Sequence, residues 1–299
     1  MKPRAFSVRV PATTANLGPG FDCAALALSL YMEVEAVPSK RWEVAYQGEE
    51  YAGLESGEDN LIVRTVKETA ALHGQTAPPC RLSVKTEIPL GKGLGSSATA
   101  VAAGVEIADR LLGLGLSLKE KVQIGSGIEG HADNVVAALM GGATFSHYRD
   151  GRVQTVHIPD PRISGIVLVP DNPFSTEESR GLLPGSISHR EAVAGGSASG
   201  VLAAAFAVGD WETAGRMMEE DVFHEPYRSG LFPDFGRIRS FSRSAGAFGT
   251  AVSGAGPSIF ILTAPGTEEA MAGRLEEQFP SYRPIAVRAS SEGAAAVAV

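Results

Sequence analysis

Apolar and polar residues alternate along residues 82–88, and apolar residues then recur at a longer spacing along residues 98–112. Strict alternation is typical of a half-buried β-strand, whereas apolar residues three and four positions apart are typical of one face of an amphipathic helix. The stretch between the two segments is rich in glycine and serine: Gly91, Gly93, Gly95, Ser96 and Ser97. The pattern therefore predicts a strand, a glycine-rich loop and a helix in succession.

This loop has the composition of an anion-binding site. Its glycines allow sharp turns and leave room for a bulky ligand. Ser96 and Ser97 fall where the first N–H groups of a helix have no partner, and the helix dipole favours negative charge at that end. We therefore predict that a phosphate group binds here. A flexible connection that is merely rich in Gly and Ser is the alternative.

Two known phosphate-binding motifs fit this stretch less well. A P-loop ends in Gly-Lys-Ser/Thr, whereas Lys92 precedes the last glycines here. Residues 93–98 match the Gly-x-Gly-x-x-Ala fingerprint of dinucleotide-binding proteins, but no acidic residue follows at the distance of about 20 residues that this fold requires. A dehydrogenase is therefore disfavoured, and a lack of NAD(H) binding would exclude it.

The same patterns predict further elements along the chain. Strands are expected over residues 5–10, 31–37, 248–252 and 258–262, with two or three more between 144 and 170; helices are expected over residues 59–72, 191–208 and 211–221. The intervening stretch 11–22 is dense in turn residues and is predicted to be a loop. Its Asn16 and Asp22 fit either ligand contacts or an Asx-turn and a helix cap. Residues 253–257 form a second glycine-rich loop, which a simple hairpin turn would also explain.

Four chemically versatile side chains precede an apolar helix that ends at Met140: Glu129, His131, Asp133 and Asn134. His131 and Asn134 are three residues apart and would share one face of a helix. The cluster predicts either a functional site or a set of helix caps in which Asp133 accepts free N–H groups. Arg180 and Arg228 stand out in the second half, although a single arginine is more often a surface ion-pair partner than a ligand.

Composition restricts the class of protein. The chain has 299 residues and a formal net charge of −8, which argues against nonspecific binding to nucleic acid or to an anionic membrane. Its two cysteines form neither a disulfide framework nor a zinc motif, so a reducing compartment is expected. The N-terminus lacks the apolar core of a signal peptide, and the longest apolar run, residues 201–208, is too short to span a bilayer. A cytoplasmic location is predicted.

Three motifs together give the chain a family resemblance. Residues 10–22, 89–98 and 249–258 occur in the order found in the GHMP family of small-molecule kinases, which the chain resembles over essentially its full length. The Ala-Asn-Leu-Gly-Pro-Gly-Phe-Asp form of the first motif resembles the branch of that family that phosphorylates homoserine. His-Ala-Asp-Asn at 131–134, Ser-Thr-x-x-x-Arg at 175–180 and Glu-Pro-Tyr-Arg at 225–228 point to the same branch.

The resemblance implies a fold and an activity. The fold is α/β (α+β): an ATP-binding domain over residues 1–160, similar to ribosomal protein S5 and containing a left-handed β-α-β crossover, and a ferredoxin-like domain over residues 161–299. The implied activity is ATP- and Mg²⁺-dependent phosphorylation of the hydroxyl of L-homoserine. A homodimer is possible, and no nucleic-acid or membrane partner is expected.

The resemblance also implies roles for individual residues. ATP is expected to contact the glycine-rich loop and two nearby segments: Pro89, Leu90, Gly91, Lys92, Gly93, Leu94, Gly95, Ser96, Ser97, Ala98, Thr99, Asn60, Ile62 and Lys85. The metal ligands would be Ser97 and Glu129. Homoserine would be held by Asn16, Asp22, His131, Asn134, Arg180 and Arg228. The catalytic candidates are Glu129, Asn134 and Asp133.

The implied substrate agrees with the chemistry of these residues. Asp22 can neutralise an ammonium group, and the guanidinium of Arg180 or Arg228 suits a carboxylate. Some GHMP kinases use a Lys–Asp pair to activate the hydroxyl, and no clear lysine for such a pair is present, which leaves open whether Asp133 is a base or no protein base exists. The rival hypotheses are another GHMP kinase, such as mevalonate or cytidyl-diphospho-methylerythritol kinase, and a non-catalytic nucleotide-binding protein.

Overall fold

Two β-sheets form the framework of the protein, as seen in a computed structural model that describes residues 5–48, 51–171, 179 and 181–298. The strands are β1 (Phe6–Ala15), β2 (Ala24–Pro38), β3 (Glu43–Tyr46), β4 (Cys80–Thr86), β5 (Ala143–Arg149), β6 (Arg152–Ile158), β7 (Ser164–Pro170), β8 (Gly249–Val252), β9 (Ile259–Thr263), β10 (Tyr282–Arg288) and β11 (Ala295–Ala298). The helices are α1 (Leu61–Leu72), α2 (Ser96–Leu112), α3 (Leu118–Glu129), α4 (Asp133–Met140), α5 (His189–Val208), α6 (Trp211–Met218), α7 (Glu225–Arg228), α8 (Phe235–Ser244) and α9 (Glu268–Gln278).

The first sheet has the order β11-β1-β2-β4-β3, with β5 beside β2 and β6 beside β5. All its pairs are antiparallel except β3 and β4, which are parallel and are joined through α1. This is the predicted β-α-β unit, and the left-handed sense of its crossover stays a prediction. The last strand, β11, returns to pair with β1, so the chain ends in the sheet in which it begins.

The second sheet has the order β10-β7-β9-β8, with all neighbours antiparallel. Helix α8 precedes β8, and helix α9 precedes β10. The resulting β-α-β-β-α-β succession with its fourth strand beside the first is the ferredoxin-like arrangement that the resemblance implied. This sheet begins at Ser164, close to the predicted boundary at residue 160, and the boundary itself stays a prediction.

The core continues from one sheet to the other. Val167 and Val169 of β7 belong to the large apolar cluster that packs against the first sheet. Ile166 and Leu168 lie on the opposite face of β7 and pack with α8 and α9. A strand buried on both faces reads as an uninterrupted apolar run, which is what residues 166–169 show. The two sheets are therefore packed against a shared interior.

Three sequence-based boundaries were wrong. Strand β1 continues through Pro11 to Ala15, so the predicted loop 11–22 begins only at Asn16, because residues 11–15 pair with β2 after a register shift at Pro11/Ala12. Residues 125–129 are the end of α3 rather than the start of α4, and α3 was not predicted because its short apolar pattern is interrupted by glycines. The predicted loop at residues 224–228 contains the one-turn helix α7.

Helix α5 meets the length and hydropathy of a membrane span, with 20 residues, a mean hydropathy of 1.4 and 28% of its best window buried. The search for uninterrupted apolar runs found only residues 201–208 of this helix, because serine and glycine divide its other apolar residues. Leu202, Ala205 and Phe206 anchor it to the main core, and Phe206 makes edge contacts with Trp211 and Phe145. A surface helix of a globular fold packs in this way, so its composition alone is weak evidence for a membrane.

Candidate active site

A cavity of about 630 Å³ opens where the glycine-rich loop, the cluster at 129–134 and the second sheet meet. It gathers most of the predicted site residues on its wall: Asn16, Asp22, Asn60, Leu90, Gly91, Lys92, Gly93, Gly95, Ser96, Ser97, Ala98, Glu129, His131, Asp133, Asn134 and Arg228. These residues come from stretches separated by more than 200 positions in the sequence. Packing has therefore brought together predicted residues from separate stretches of the chain.

The glycine-rich loop presents free backbone donors to this cavity. Gly95 adopts the left-handed conformation with φ of 69° and begins α2 without a side-chain cap. The first N–H of the helix to find a backbone acceptor is that of Thr99, which donates to the Gly95 carbonyl at 2.8 Å. The N–H groups of residues 96–98 precede it, and a helix of 17 residues adds its dipole. This end of α2 is suited to phosphate oxygens.

The second glycine-rich loop, residues 253–257, holds the first one in place. The Ser253 hydroxyl donates to the Gly93 carbonyl at 2.7 Å, and the Ser258 N–H donates to the Lys92 carbonyl at 3.3 Å. A Cβ at Gly93 would lie 2.3 Å from the Ser253 carbonyl oxygen. The loop is therefore a support for the phosphate-binding segment, a role that the hairpin interpretation of the sequence did not include.

The predicted metal ligands lie side by side. The Ser97 hydroxyl donates to Oε1 of Glu129 at 2.8 Å, and Oε2 of Glu129 lies 3.6 Å from Nε2 of His131. Within the described part of the chain, no group of three His, Cys, Asp or Glu residues could hold a metal by itself. A hydroxyl and a carboxylate beside a phosphate site nevertheless fit Mg²⁺, which takes few protein ligands and completes its shell with water and substrate phosphates.

One carboxylate oxygen of Asp133, Oδ1, contacts neighbouring protein groups. Asp133 is 3% exposed, and its Oδ1 accepts the Asn134 backbone N–H at 2.8 Å and lies 2.6 Å from Nδ1 of His131. The adjacent Asn134 is half-buried and accepts the Thr13 hydroxyl at its Oδ1, 2.7 Å away. Asp133 thus accepts one N–H in the first turn of α4 and contacts His131, whereas the N-cap position is Ala132 and makes no side-chain capping bond. The role of Asp133 as a cap or as a base stays a prediction.

Asn16 is a structural link as well as part of the cavity wall. Its Oδ1 accepts the Asp22 backbone N–H at 3.0 Å, and its Nδ2 donates to the Gly254 carbonyl at 2.8 Å. Asn16 and Asp22 both adopt positive φ, at 72° and 51°, a conformation that Asn and Asp tolerate better than most residues. The turn places the Asp22 carboxyl at the cavity, as its predicted role requires.

Arg228 reaches the cavity from the second sheet's side and is 1% exposed. Its Nε donates to the Ser179 carbonyl at 3.2 Å, and its Nη1 lies 3.1 Å from Nδ1 of His224 and 3.4 Å from the Gly254 carbonyl. Burial, reinforced by the Arg228 charge, lowers the pKa of His224 to about 4 despite Asp221 nearby. Arg180, the other predicted carboxylate ligand, lies outside the described residues.

The far end of the cavity is aromatic, and the sequence analysis missed most of it. Tyr46 and Tyr51 stack with ring centroids 5.9 Å apart, and Asn60 donates to the Tyr46 hydroxyl at 3.1 Å. Thr86 and Ile88 complete this part of the wall. The alternation at 82–88 marked which side chains share a face of β4, but nothing in it indicated that this face lines a cavity.

Five predicted ATP-binding residues lie off the cavity wall. Ile62 is fully buried in the core and Lys85 is exposed, one position before Thr86 and hence on the opposite face of β4. The others belong to the loop and α2 but turn their side chains elsewhere: Pro89, Leu94 and Thr99. Only backbone contacts or a rearrangement would bring these residues to a ligand, and their predicted role is untested.

A wider depression of about 980 Å³ near the end of α2 lacks these features. Its basic and acidic side chains pair with each other, since Lys121 lies 2.9 Å from Glu106 and 2.7 Å from Asp109. The helix N-terminus on its wall, that of α3 at Leu118, is already capped by Ser117. The chemistry therefore points to the smaller cavity.

The chain is similar to known proteins over nearly its whole length. The family model described as GHMP kinases N terminal domain matches residues 60–142, and that described as GHMP kinases C terminal matches residues 202–281. Curated homoserine kinases from Bacillus velezensis and Shouchella clausii are 39% and 40% identical to the chain, covering 96% and 97% of it and 93% and 98% of their own lengths. A crystal structure of homoserine kinase from Cytophaga hutchinsonii has a TM-score of 0.88 at 27% identity, covering 99% of this chain and 98% of that one.

Proposed function

Because the chain belongs to the GHMP kinase family, we propose that it transfers the γ-phosphoryl group of ATP to the side-chain hydroxyl of L-homoserine. One observation carries this proposal: a single cavity contains both a free helix N-terminus for phosphates and the oppositely charged Asp22 and Arg228. A zwitterionic amino acid needs both charges, whereas mevalonate has no ammonium group for Asp22 to bind. The similarity to curated homoserine kinases along nearly the whole chain supports the same substrate.

ATP would occupy the cavity from its aromatic end to the glycine-rich loop. The stacked pair of Tyr46 and Tyr51 offers apolar faces to a purine. The amide of Asn60 binds the protein itself and holds the Tyr46 hydroxyl in place. The β- and γ-phosphates would then lie at the N–H groups of residues 96–98. This placement leaves the γ-phosphate next to the residues of the 129–134 cluster.

Ser97 and Glu129 would hold Mg²⁺ between the protein and the phosphates. When bound, the ion neutralises charge on the phosphate oxygens during transfer. The protein's own part is to keep the Ser97 hydroxyl and the Glu129 carboxylate adjacent, and His131 supports Glu129 from its other oxygen.

Homoserine would bind between Asp22 and Arg228, with its ammonium near the former and its carboxylate near the latter. Arg180 is proposed as a second carboxylate ligand. Since both charged ends are then fixed, the primary hydroxyl points toward the γ-phosphate and the reaction becomes effectively intramolecular.

The chain's residues support transfer without a protein base. Oδ1 of Asp133 accepts the Asn134 N–H and contacts His131, which holds the carboxylate at the start of α4. Phosphoryl transfer proceeds through a loose transition state that demands little early deprotonation, and the γ-phosphate oxygens can take the hydroxyl proton. Positioning and charge stabilisation would then supply the rate enhancement.

Two broader statements belong to this proposal. The domain of residues 1–160 would bind ATP. The ferredoxin-like domain of residues 161–299 would contribute Arg228 and the supporting loop 253–257. ATP and a small polar amino acid are both cytoplasmic metabolites, which favours a cytoplasmic location.

A coupled assay of ADP release tests the function. Homoserine, mevalonate, shikimate and galactose are offered as acceptors at saturating ATP and Mg²⁺. We expect turnover with homoserine alone, and phosphorus NMR should show a phosphomonoester on its side chain. Turnover with mevalonate or galactose instead would overturn the substrate, and ATP binding with no turnover on any acceptor would favour the non-catalytic nucleotide-binding protein.

A further inference from the structure

Thr13 occupies the point at which β1 meets the glycine-rich loop. Its side chain is fully buried, and its backbone N–H donates to the Leu94 carbonyl at 3.2 Å. Its hydroxyl donates to Oδ1 of Asn134 at 2.7 Å, across 121 residues of sequence. Thr13 lies in the stretch 11–22 that the sequence predicted to be a loop, and no local pattern singled it out.

Gly95 leaves just enough room for this hydrogen bond. A Cβ at that position would lie 2.0 Å from the Thr13 hydroxyl oxygen and 3.1 Å from Oδ1 of Asn134. The last glycine of the phosphate-binding loop is therefore packed directly on the Thr13–Asn134 pair. Any ligand at the loop lies next to an amide whose orientation this pair sets.

In this structure the contact holds the carbonyl end of the Asn134 amide at Thr13. An amide has a carbonyl acceptor at one end and an NH₂ with two donors at the other. Since Thr13 uses the carbonyl on the protein side, the NH₂ is the group that Asn134 presents at the cavity wall. Two N–H donors stabilise negative oxygen atoms and cannot accept a proton.

We propose that Thr13 is a positioning residue that fixes the Asn134 amide with its donors toward the reacting oxygens. The inference rests on the proposed function, because it assigns those donors to the acceptor hydroxyl and the γ-phosphate. Loss of the Thr13 hydroxyl frees the amide to rotate by half a turn. Its carbonyl then faces phosphate oxygens, and like partial charges oppose each other where negative charge develops.

Thr14 provides a matched control on the same strand. It is also fully buried, but it faces the other side of β1, where its hydroxyl is hydrogen-bonded to the Ser253 hydroxyl at 2.9 Å. Thr14→Val removes the same hydroxyl from the same kind of environment without touching Asn134. Its effect reports what a buried threonine contributes to the fold near the site.

The test is a double-mutant cycle between Thr13→Val and Asn134→Ala, read in kcat and in KM for both substrates. We expect Thr13→Val to lower kcat by about 10- to 100-fold, the size of a displaced catalytic contact, with the KM of ATP nearly unchanged. Thr13→Ser should recover most of the loss. In the Asn134→Ala background, Thr13→Val should have no further effect, whereas Thr14→Val should lower kcat by the same factor in both backgrounds.

Two results would overturn the proposal. If Thr13→Val lowers kcat by the same factor in the wild-type and Asn134→Ala backgrounds, the Thr13 hydroxyl acts on the fold alone. Substantial activity in Asn134→Asp would mean that an acceptor, not a donor, faces the ligand; this variant keeps a partner for the Thr13 hydroxyl and stays interpretable if Thr13→Val does not fold. A wild-type enzyme inactive on homoserine but active on another acceptor would refute the proposed substrate, and the same cycle would then be measured on that acceptor.

Discussion

At the scale of single residues, the site divides into groups that meet the ligand and groups that hold those groups. Ser97, Glu129 and Arg228 have side chains on the cavity wall with chemistry suited to a metal or a carboxylate. Asp133 and Asn16 also reach the wall, yet Oδ1 of Asp133 and both polar atoms of the Asn16 amide are bonded to protein groups. Substitutions in the two groups should therefore differ in kind.

Glu129→Gln tests the metal site. An amide keeps the shape but loses the charge that Mg²⁺ requires, so turnover should fall by at least about 100-fold while the midpoint of thermal unfolding changes little. A titration of activity against Mg²⁺ should show a large increase in the concentration needed for half-maximal rate. Near-normal activity of Glu129→Gln at low Mg²⁺ would show that Glu129 is not a metal ligand.

Asp133→Asn tests whether a protein base exists. Loss of a general base typically costs 10²- to 10⁴-fold, whereas Asn caps a helix about as well as Asp. Because Asp133 accepts the Asn134 N–H and contacts His131, we expect a loss in kcat of less than about tenfold. A loss near 10³-fold in a folded variant, with an altered pH profile, would identify Asp133 as the base.

Arg228→Gln tests the carboxylate contact. Removal of one charge-assisted hydrogen bond costs about 1.5–3 kcal/mol, so the KM for homoserine should rise roughly tenfold to hundredfold with the KM for ATP little changed. The decarboxylated analogue of homoserine provides the control, because wild type and variant should use it equally poorly. A change confined to ATP affinity would assign Arg228 to the nucleotide.

At the scale of elements, the two glycine-rich loops act as one unit. Gly93 has φ of 75°, and a Cβ there would meet the carbonyl oxygens of Ser253 and Gly256 at 2.3 and 2.7 Å. These are backbone atoms, which cannot rotate away as a side chain could. The phosphate-binding loop is therefore shaped by the second sheet as much as by its own glycines.

Gly93→Ala should be destabilising for both of these reasons. Gly113 is the matched control, since its φ of 64° is similar but a Cβ would meet nothing within 4 Å. Gly113→Ala should cost about 1–2 kcal/mol for the left-handed conformation, and Gly93→Ala about 1–3 kcal/mol more for the overlap. Urea unfolding of the two variants measures the difference, and equal losses would show that the loop contact yields easily.

At the scale of the whole molecule, buried ionisable groups join the second sheet to the site. His224 and Glu225 are adjacent and buried: His224 contacts Arg228 and the Gly18 carbonyl, and Glu225 contacts Arg239 and the Val252 N–H. Burial lowers the pKa of His224 from 6.5 to about 4 and raises the pKa of Glu225 from 4.5 to about 7. Each shift makes the free energy of unfolding depend on pH.

The two residues should act in opposite directions. Between pH 6.5 and 4, the unfolded chain protonates His224 while the folded protein does not, so this residue reduces stability as the pH falls. Between pH 4.5 and 7, the unfolded chain loses the Glu225 proton while the folded protein keeps it, so this residue reduces stability as the pH rises.

Urea unfolding at about pH 5 and pH 7.5 separates the two effects. Relative to wild type, His224→Gln should be more stable at pH 5 than at pH 7.5, and Glu225→Gln should be more stable at pH 7.5 than at pH 5. For each variant, the difference in unfolding free energy from wild type should change by about 2–3 kcal/mol between the two pH values. If the stability of either variant runs parallel to that of wild type across this range, the corresponding pKa shift is absent.

The sequence by itself determined the local units of this protein. The strand, glycine-rich loop and helix at 80–112 follow from residue spacing and from the glycines that allow sharp turns. Such signals lie within one or two helical turns of each other, so no knowledge of packing is needed to read them. The three motifs together with the cluster at 129–134 selected more than half of the residues that line the cavity, because each of these stretches brings its polar groups within a few positions.

Only the tertiary structure decided how those groups are used. Asn16 bonds to Gly254 across 238 residues, Ser253 to Gly93 across 160, and Thr13 to Asn134 across 121. A buried polar atom must find some partner, but the sequence does not say which distant atom will be adjacent once two sheets share a core. For this reason the sequence did not predict that Asn16 links two loops or that the second glycine-rich loop supports the first. Nor did any local pattern distinguish Thr13, which orients the Asn134 amide.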